Sequence, residues 1–389
     1  MKSSFPDSAV ESLRVNDWHR RLFDALIPLP DGTSYNAYLV RGAERTVLLD
    51  TCDPSRRREF LALLDRVPRV DVIVAHHAEQ DHSGLLPEVM ARYPQAAVLA
   101  TPKGVSFLAD LLPVDAARLR PVEDGETLDL GGKSLRFLHL PWVHWPETMA
   151  AWLEPDGVLF SCDLFGSHLA SAELTARNDA EVLAAAKLYY AQIMMPYARV
   201  IEKHLARIAE LPVRTIAPSH GPVFDRPALI QDAWREWVSG PPRRLVLVPQ
   251  VSMHGSTALL AERFIQALAE RGVPARPFDL TALPLDRFAA ALVDAGAVVF
   301  AMPAVWNGPH PAAAFAAGVV NGLKPKTRWV SWMGSYGWSE KALREFAALL
   351  PDLKAEILPP ALCRGLPRAA DFAAVEKLAD DLAARLPSG

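Results

Sequence analysis

Cysteine is scarce in this chain, whose 389 residues include only Cys52, Cys162 and Cys363. The three lie far apart and none belongs to a CxxC pair. The sequence therefore supports neither a disulfide framework nor a metal site built from paired thiolates. We expect three reduced and mostly buried thiols.

An excess of one charge and long apolar runs are also missing. The 41 basic and 45 acidic residues leave a net charge of −4, and no basic cluster stands out, which argues against nucleic acid or an anionic membrane as a partner. No apolar stretch reaches the roughly 18 residues of a membrane span, and the first residues lack an apolar segment of signal-peptide length. We therefore expect a cytoplasmic protein without a membrane partner.

Two patterns of predicted secondary structure divide the chain. Between residues 35 and 220, strand pairs without an intervening helix indicate mixed sheets covered by helices. After the break Ser239-Gly-Pro-Pro242, short apolar strands alternate regularly with helices, which is typical of a doubly wound parallel sheet. We predict two domains, residues 1–240 and 243–389. The predicted strands are residues 36–40, 46–49, 72–75, 97–100, 135–138, 158–161, 213–217, 245–248, 298–301 and 329–332, and the predicted helices of the first domain are 56–67, 84–92, 105–112 and 179–211.

The stretch His77-Ala-Glu79-Gln-Asp81-His82 carries two imidazoles and two carboxylates within six residues. It follows the apolar run 72–75 and so lies at the C-terminal end of a buried strand, where a pocket can form. Imidazole with carboxylate oxygen suits iron, manganese or zinc, and more carboxylates shift the preference away from a purely zinc-like shell. A solvated turn is the alternative, and it explains one such residue better than it explains four.

Three further side chains of the same kind follow predicted strands, namely His144, Asp163 and His220. Alone, each has an ordinary alternative as a loop histidine, a turn residue or a cap. Strand ends at one edge of a sheet can converge, so residues distant in sequence can share one pocket. Seven ligands exceed what one tetrahedral ion uses, and a carboxylate can bridge, so the count predicts two metals.

Three loops that follow strands of the second domain suit a phosphate and a flat ring. The first supplies hydroxyls and backbone amides at a helix N-terminus, which can hold a phosphate, although an ordinary helix cap is the alternative. The other two place aromatic rings where a flat ring could be sandwiched. Neither GxxxxGK nor GxGxxG accompanies them, which argues against a nucleoside triphosphatase and a dinucleotide site. The candidate residues are Ser252, Met253, His254, Gly255, Ser256 and Thr257, then Pro303, Ala304, Val305, Trp306, Asn307 and Gly308, then Gly334, Ser335, Tyr336, Gly337 and Trp338.

The order and spacing of the seven candidate metal ligands resemble the flavodiiron proteins. The strings GTSYNAYLV, HWPETMAAWL, LFSCDLFGSHLAS, KLYYAQIMMP and IAPSHGPV also look like that family's. The resemblance implies an N-terminal metallo-β-lactamase-like αββα sandwich followed by a flavodoxin-like doubly wound parallel sheet. Zinc hydrolases of the wider superfamily carry His where this chain has Glu79, so Glu79 favours iron and oxygen chemistry over hydrolysis.

The resemblance also implies how the ligands are shared between two irons. His77, Glu79 and His144 would hold one iron, Asp81, His82 and His220 would hold the other, and Asp163 would bridge them. In some members of the family, water displaces the His that corresponds to His82. The three loops of the second domain would bind flavin mononucleotide (FMN).

Candidate catalytic residues come from the same resemblance. Asp24 stands where many members carry a His near the substrate pocket, and Tyr189 and Tyr190 both resemble the family's pocket tyrosine, without a sign of which one faces the pocket. Ala304 stands where Thr is more usual, which removes one hydroxyl contact to the flavin.

The implied function is reduction of dioxygen to water, of nitric oxide to nitrous oxide, or of both, at a di-iron centre fed by FMN. The resemblance further implies an external donor such as rubredoxin, and a head-to-tail homodimer or a dimer of dimers. Two alternatives remain open: a two-zinc hydrolase with an appended flavodoxin-like domain, and a non-enzymatic electron carrier or redox sensor that uses only the flavin.

Overall fold

The computed structural model describes Phe5 and residues 9–387, with Ala342 described only in its backbone. The chain forms two compact units. The first unit is Met1–Tyr190 with Tyr197–Ser239, and the second is Ala191–Pro196 with Gly240–Gly389. Within the described part of the chain, no helix has both the length and the hydrophobicity that a membrane span requires.

The first unit contains two mixed sheets that pack face to face. The first sheet has six strands and the second has five. Side chains of both sheets, such as Tyr38, Leu49, Phe137 and Phe160, share one buried cluster between them. In sheet order, the strands of the first sheet are Val10–Asp17, Thr33–Arg41, Thr46–Leu49, Val72–Val74, Ala97–Ala100 and Leu119–Pro121, and those of the second are Thr215–Pro218, Val158–Cys162, Met149–Glu154, Ser134–His139 and Thr127–Asp129.

The strand Thr33–Arg41 shows why strands of the first unit have continuous apolar runs in the sequence. Successive side chains of a strand point to opposite faces of the sheet. Tyr38 and Val40 therefore lie in the core between the sheets, whereas Ala37 and Leu39 lie in a second core. Helices cover that outer face, because Phe60 and Leu108 belong to the same second core. A strand buried on both faces needs apolar residues at most positions.

The helices of the first unit lie between or after these strands. They are Arg57–Leu64, Gln80–Ser83, Leu86–Arg92, Pro102–Leu111, Asp179–Tyr189, Ala198–Ala209 and Pro227–Ser239. Short 3-10 turns lie at Pro54–Arg56 and Ala116–Arg118, and the two-residue strands Leu22–Phe23 and Ile27–Pro28 form a short hairpin.

The predicted continuous helix over residues 179–211 is wrong. The first helix ends at Tyr189, a π-helical turn follows at Tyr190–Met194, a 3-10 turn at Met195–Tyr197, and a new helix begins at Ala198. Pro196 has no backbone N–H to donate, and its ring clashes with the preceding turn, so a regular helix does not continue through it. The prediction also omitted the strands Val10–Asp17 and Met149–Glu154.

The second unit has the predicted doubly wound parallel sheet. All of its pairings are parallel, and the strand Arg243–Gln250 lies between the strands that follow it along the chain. The connections therefore run in opposite directions from this strand, and ligands bind such sheets at that reversal. In sheet order the strands are Ala275–Asp279, Arg243–Gln250, Ala295–Ala301 and Trp329–Tyr336, with Glu356–Ile357 and Ala361–Arg364 both pairing with the last.

Helices of the second unit pack against this sheet. Leu260 and Phe264 from one helix and Leu378 from another share a core with strand residues Val246 and Val299. The helices are Ser256–Glu270, Leu285–Leu292, Pro311–Leu323, Lys341–Arg344 and Ala369–Arg385, with 3-10 turns at Leu280–Ala282 and Glu345–Leu349 and a short hairpin of Ala304–Val305 with Gly308–Pro309.

Candidate metal centre and ligand pocket

The structure brings all seven predicted metal ligands into one cluster in the first unit. Each follows a strand, and the one-turn helix Gln80–Ser83 carries Asp81 and His82. Six of these side chains are at most 12% exposed, and His144 is 15% exposed. Strand ends that converge at one edge of the packed sheets therefore place residues 143 positions apart in sequence, His77 and His220, in the same site.

One group of the cluster surrounds Glu79. Its Oε2 lies 3.2 Å from His77 Nε2 and 3.0 Å from His144 Nε2. Both imidazole nitrogens also lie 3.7 Å from Asp163 Oδ2. Donor atoms that bind one ion at about 2.1 Å lie roughly 3 to 3.5 Å from one another. The spacing of this group therefore suits one shared metal ion.

A second group surrounds Asp81. Its Oδ2 lies 3.1 Å from His220 Nε2, and its Oδ1 lies 3.5 Å from His82 Nε2. The same two imidazole nitrogens lie 3.4 and 3.2 Å from Asp163 Oδ1. Asp163 thus turns one carboxylate oxygen toward each group, which is the arrangement of a bridging ligand.

The donor set fits a pair of cations. Among the described residues, both Asp163 oxygens and Asp81 Oδ1 are buried without a hydrogen-bond partner, although unsatisfied buried carboxylate oxygens are costly. Burial opposes a positive charge on His77, but hydrogen bonds to Glu147 and Glu79 outweigh it and raise the pKa of His77 to about 10. The pocket therefore favours positive charge at this point.

Two of the imidazoles are oriented by contacts to their other ring nitrogen. His77 Nδ1 lies 2.6 Å from Glu147 Oε1, and His220 Nδ1 lies 2.8 Å from the carbonyl oxygen of Ser34. Such contacts leave Nε2 to face the metal. Glu147 was missed at the level of sequence, because it lies 70 residues from His77 and no local pattern links the two.

The structure separates the two candidate tyrosines. The Tyr189 ring centroid lies 4.9 Å from that of His168 and 6.1 Å from that of His220. Burial and the negative charge of Asp163 raise the pKa of Tyr189, which keeps its hydroxyl protonated. Tyr190 instead packs against two tryptophans, and its hydroxyl donates to the carbonyl oxygen of Trp237 at 3.3 Å. Its contacts are those of a core residue.

Asp24 lies in the turn between the short strands Leu22–Phe23 and Ile27–Pro28, where its backbone has a φ of 49°. Its side chain is exposed, but partial burial and the charges of Glu79 and Asp81 raise the pKa of its carboxyl group. Neighbouring Phe23 holds this hairpin, because its ring lies 5.3 Å from that of His168. Asp24 is therefore electrostatically coupled to the cluster from an exposed position.

His168 is a further polar residue of this site that the sequence reasoning missed. Its Nδ1 lies 2.9 Å from Thr33 Oγ1, and its Nε2 is buried without a partner among the described residues. Burial and the nearby His220 lower the pKa of His168 to about 3, so the ring is neutral near pH 7. The string DLFGSH, directly after the strand that ends at Cys162, was the available signal.

The three predicted loops of the second unit line one cavity of about 610 Å³. Gly255, Gly308 and Gly334 are not part of the lining. A Cβ at Gly334 would lie 1.9 Å from the carbonyl oxygen of Met302, so this glycine permits the backbone of Met302 to approach the strand Trp329–Tyr336 closely. A fourth loop, with Gly365 and Leu366, was not predicted. The lining residues are Ser252, Met253, His254, Ser256, Thr257, Pro303, Ala304, Val305, Trp306, Asn307, Ser335, Tyr336, Gly337, Trp338, Gly365 and Leu366.

The shape and chemistry of this cavity suit a phosphorylated ring compound. Ser252 Oγ accepts the N–H groups of Gly255 and Ala258 at 3.2 and 3.3 Å, which shapes the turn before the helix Ser256–Glu270. An anion is favoured at such a helix N-terminus. Trp306 and Trp338 line the cavity while their side chains remain 86% and 82% exposed, which offers large aromatic faces to a ligand.

Comparisons with known proteins agree with this architecture. A family model described as ODP family beta lactamase matches residues 33–221. The coenzyme F420H2 oxidase of Methanothermobacter marburgensis is 32% identical over 87% of this chain and 87% of its own length. The nitric oxide reductase of Moorella thermoacetica is 30% identical over 95% of each chain.

Solved structures give the same result. The rubredoxin oxygen:oxidoreductase of Desulfovibrio gigas aligns with a TM-score of 0.92 and 27% identity over 98% of each chain. The flavodiiron protein of Giardia intestinalis aligns with a TM-score of 0.89 and 25% identity, over 99% of this chain and 96% of its own. Full-length similarity of this kind covers the metallo-β-lactamase-like domain and the flavodoxin-like domain together. The chain therefore belongs to the flavodiiron protein family.

Proposed function

We propose that this chain is an oxidoreductase that reduces dioxygen to water, nitric oxide to nitrous oxide, or both, at a non-haem di-iron centre supplied with electrons by FMN. The observation that carries the proposal is the position of Asp163, whose two oxygens face two separate imidazole and carboxylate groups. Relatives of this chain are named for these reactions: one is a nitric oxide reductase and another an oxygen oxidoreductase.

Seven side chains would hold the two irons. Their sharing follows the two groups in the structure, because each group combines two imidazole nitrogens with one carboxylate. Imidazole with carboxylate is a donor set that iron accepts readily. The first iron would be held by His77, Glu79 and His144, the second by Asp81, His82 and His220, and Asp163 would bridge them.

The cavity of the second unit would hold FMN. The turn of residues 252–257 suits the phosphate, and the loops that carry Trp306 and Trp338 suit the isoalloxazine ring. Ala304 lines the same cavity without a hydroxyl to donate.

When bound, the two ferrous irons and the reduced flavin supply the electrons, four for dioxygen and two for each pair of nitric oxide molecules. The protein groups around them orient the metal ligands and offer protons. Glu147 and Ser34 fix the orientation of His77 and His220. If the Thr33 hydroxyl donates to Nδ1 of His168, the proton of this neutral ring is on Nε2, where it is available to a small polar molecule. The protonated Tyr189 hydroxyl offers a second donor on the same side.

The electron donor and the assembly belong to the proposal as well. We propose rubredoxin or a similar external carrier, in keeping with the name of the structural neighbour from Desulfovibrio gigas. We also propose a head-to-tail homodimer, in which the flavin of one subunit approaches the irons of the other, because electron transfer requires a short path.

Anaerobic stopped flow tests the function directly. The protein is reduced, its iron and FMN are quantified, and it is mixed with dioxygen and, separately, with nitric oxide. We expect rapid flavin reoxidation with at least one gas, together with its consumption and about two irons per chain. Two bound zinc ions with esterase or lactonase turnover, and consumption of neither gas, would establish the hydrolase alternative instead.

A further inference from the structure

His82 is held in place from two sides by residues outside the metal ligands. Its carbonyl oxygen accepts the N–H of Thr51 at 2.7 Å and the Thr51 hydroxyl at 2.6 Å. Its ring is buried beside Asp50 and Cys162: one ring nitrogen, the Cys162 sulfur and one Asp50 oxygen all lie within 4.8 Å of one another.

The chemistry of an imidazole ligand requires such a neighbour. His82 Nε2 faces Asp163 and Asp81 at 3.2 and 3.5 Å, so Nε2 is the nitrogen available to a metal ion. The proton of the ring is then on Nδ1, which needs an acceptor in a buried site. The Cys162 sulfur is a weak acceptor that is buried close to the His82 ring. Asp50 is already engaged, because it accepts the backbone N–H of His76 and lies 2.7 Å from Nδ1 of the His76 ring.

The backbone at Cys162 supports a specific role for its side chain. Cys162 ends the strand Val158–Cys162 with a φ of 54°, and Asp50 follows the strand Thr46–Leu49 with a φ of 59°. Aspartate and asparagine tolerate this left-handed region, but cysteine adopts it only against a steric penalty, and such strain concentrates at functional sites. Glycine would adopt it freely. Cys162 therefore holds a strained backbone at a strand end while its sulfur lies within 4.8 Å of a ring nitrogen of His82.

We propose that Cys162 is a positioning residue that holds the His82 imidazole in the metal cluster. The inference rests on the proposed di-iron function, because it concerns the ligand of the second iron for which water is the competitor. It predicts that the second ion, bound by Asp81, His82 and His220, depends on a side chain that does not touch it.

The test compares Cys162→Gly with Cys162→Asn. Glycine removes the thiol and adopts the left-handed backbone without a steric penalty, which offsets part of the cost of the cavity left at this buried position. Thermal melting of the apo protein checks that the variant stays folded. Asparagine tolerates the left-handed conformation and keeps a polar acceptor. Cys52→Ala is the matched control, because Cys52 is a fully buried thiol in the core that the helices cover.

Iron release and cobalt spectra provide readouts other than turnover. Each purified holoprotein is exposed anaerobically to a ferrous chelator, and each apo protein is reconstituted with Co²⁺ to record its d–d absorption. In Cys162→Gly, one of the two irons should leave about 10- to 100-fold faster than in the wild type, which is the usual effect of losing an outer contact to a ligand. Cys162→Asn and Cys52→Ala should release both irons at rates close to the wild type.

The double variant with His82→Ala establishes whether Cys162 acts through His82. If it does, adding Cys162→Gly to His82→Ala should change iron release no further. A wild-type protein that binds two irons and consumes dioxygen or nitric oxide, with release rates and cobalt spectrum unchanged in Cys162→Gly, would overturn this inference alone. A wild-type protein that binds no iron pair would overturn the proposed function and this inference with it.

Discussion

His77 Nδ1 lies 2.6 Å from Glu147 Oε1, and the same oxygen accepts the backbone N–H of Ala78 at 3.0 Å. Glu147 therefore orients the ring and the backbone of a metal ligand at once, from a position 70 residues further along the chain. The carboxylate is nearly inaccessible to solvent, so water does not replace it easily.

Replacing Glu147 with Gln removes the charge and keeps the size of the side chain. We expect the iron held by His77 to be bound about 10- to 100-fold more weakly, because His77 loses the negative partner that makes its Nε2 a stronger donor. Anaerobic chelator competition measures the affinity. Glu154→Gln is the control, because Glu154 contacts Arg136 and Trp152 instead of a metal ligand. Equal iron retention in the two variants would contradict the role of Glu147.

Replacing Asp163 with Ala should abolish the reduction of both gases while FMN stays bound. Asp163 gives one oxygen to each group, so its loss leaves two separate and incomplete sites. Gas electrodes measure the consumption, and the visible spectrum measures the flavin. Asp65→Ala, at a side chain that is 71% exposed, should behave as the wild type. Unimpaired turnover in Asp163→Ala would favour the flavin-only electron carrier.

The convergence of the seven ligands could be anticipated from sequence because each one follows a strand, and strand ends share an edge of a sheet. The partners of these ligands were harder to foresee. Glu147 and His168 are polar residues in loops, and only the folded structure shows that they are buried. Their burial depends on contacts between segments far apart in the chain, which local patterns do not contain.

Two errors of prediction have identifiable physical causes. Residues 179–211 have the apolar spacing of a helix on both sides of Pro196, and the prediction gave that spacing more weight than the proline. The strand Val10–Asp17 was missed because five of its eight side chains are polar. Its partner strand Thr33–Arg41 provides the pairing that makes it a strand, and that pairing is not visible in either segment alone.

Tyr189 and Tyr190 could not be told apart by sequence, because neighbouring residues of a helix share the same local pattern and differ only in direction. Their contacts predict opposite outcomes of the same substitution. Tyr189→Phe should lower the rate of gas reduction about 10- to 100-fold, since it removes a proton donor beside the cluster. Tyr190→Phe should lower the free energy of unfolding by about 1 kcal/mol, because it removes the hydrogen bond to Trp237.

Steady-state rates and chemical denaturation of both tyrosine variants check this pair of expectations. Each variant serves as the control for the other, because both delete one buried hydroxyl from adjacent residues of the chain. A slower reaction in Tyr190→Phe with a normal rate in Tyr189→Phe would reverse the assignment of the two side chains.

Ala304 lines the cavity with a methyl group and offers no side-chain hydrogen bond to a ligand. Ala304→Thr introduces a hydroxyl there, and one additional hydrogen bond contributes about 0.5 to 1.5 kcal/mol, or roughly a 2- to 10-fold gain in affinity. Ala304→Val has nearly the same shape without the hydroxyl. We therefore expect tighter FMN binding for Thr than for Val in fluorescence titrations of the deflavinated protein. If Val binds FMN as tightly as Thr, the gain comes from packing, and Ala304 does not limit the retention of the flavin.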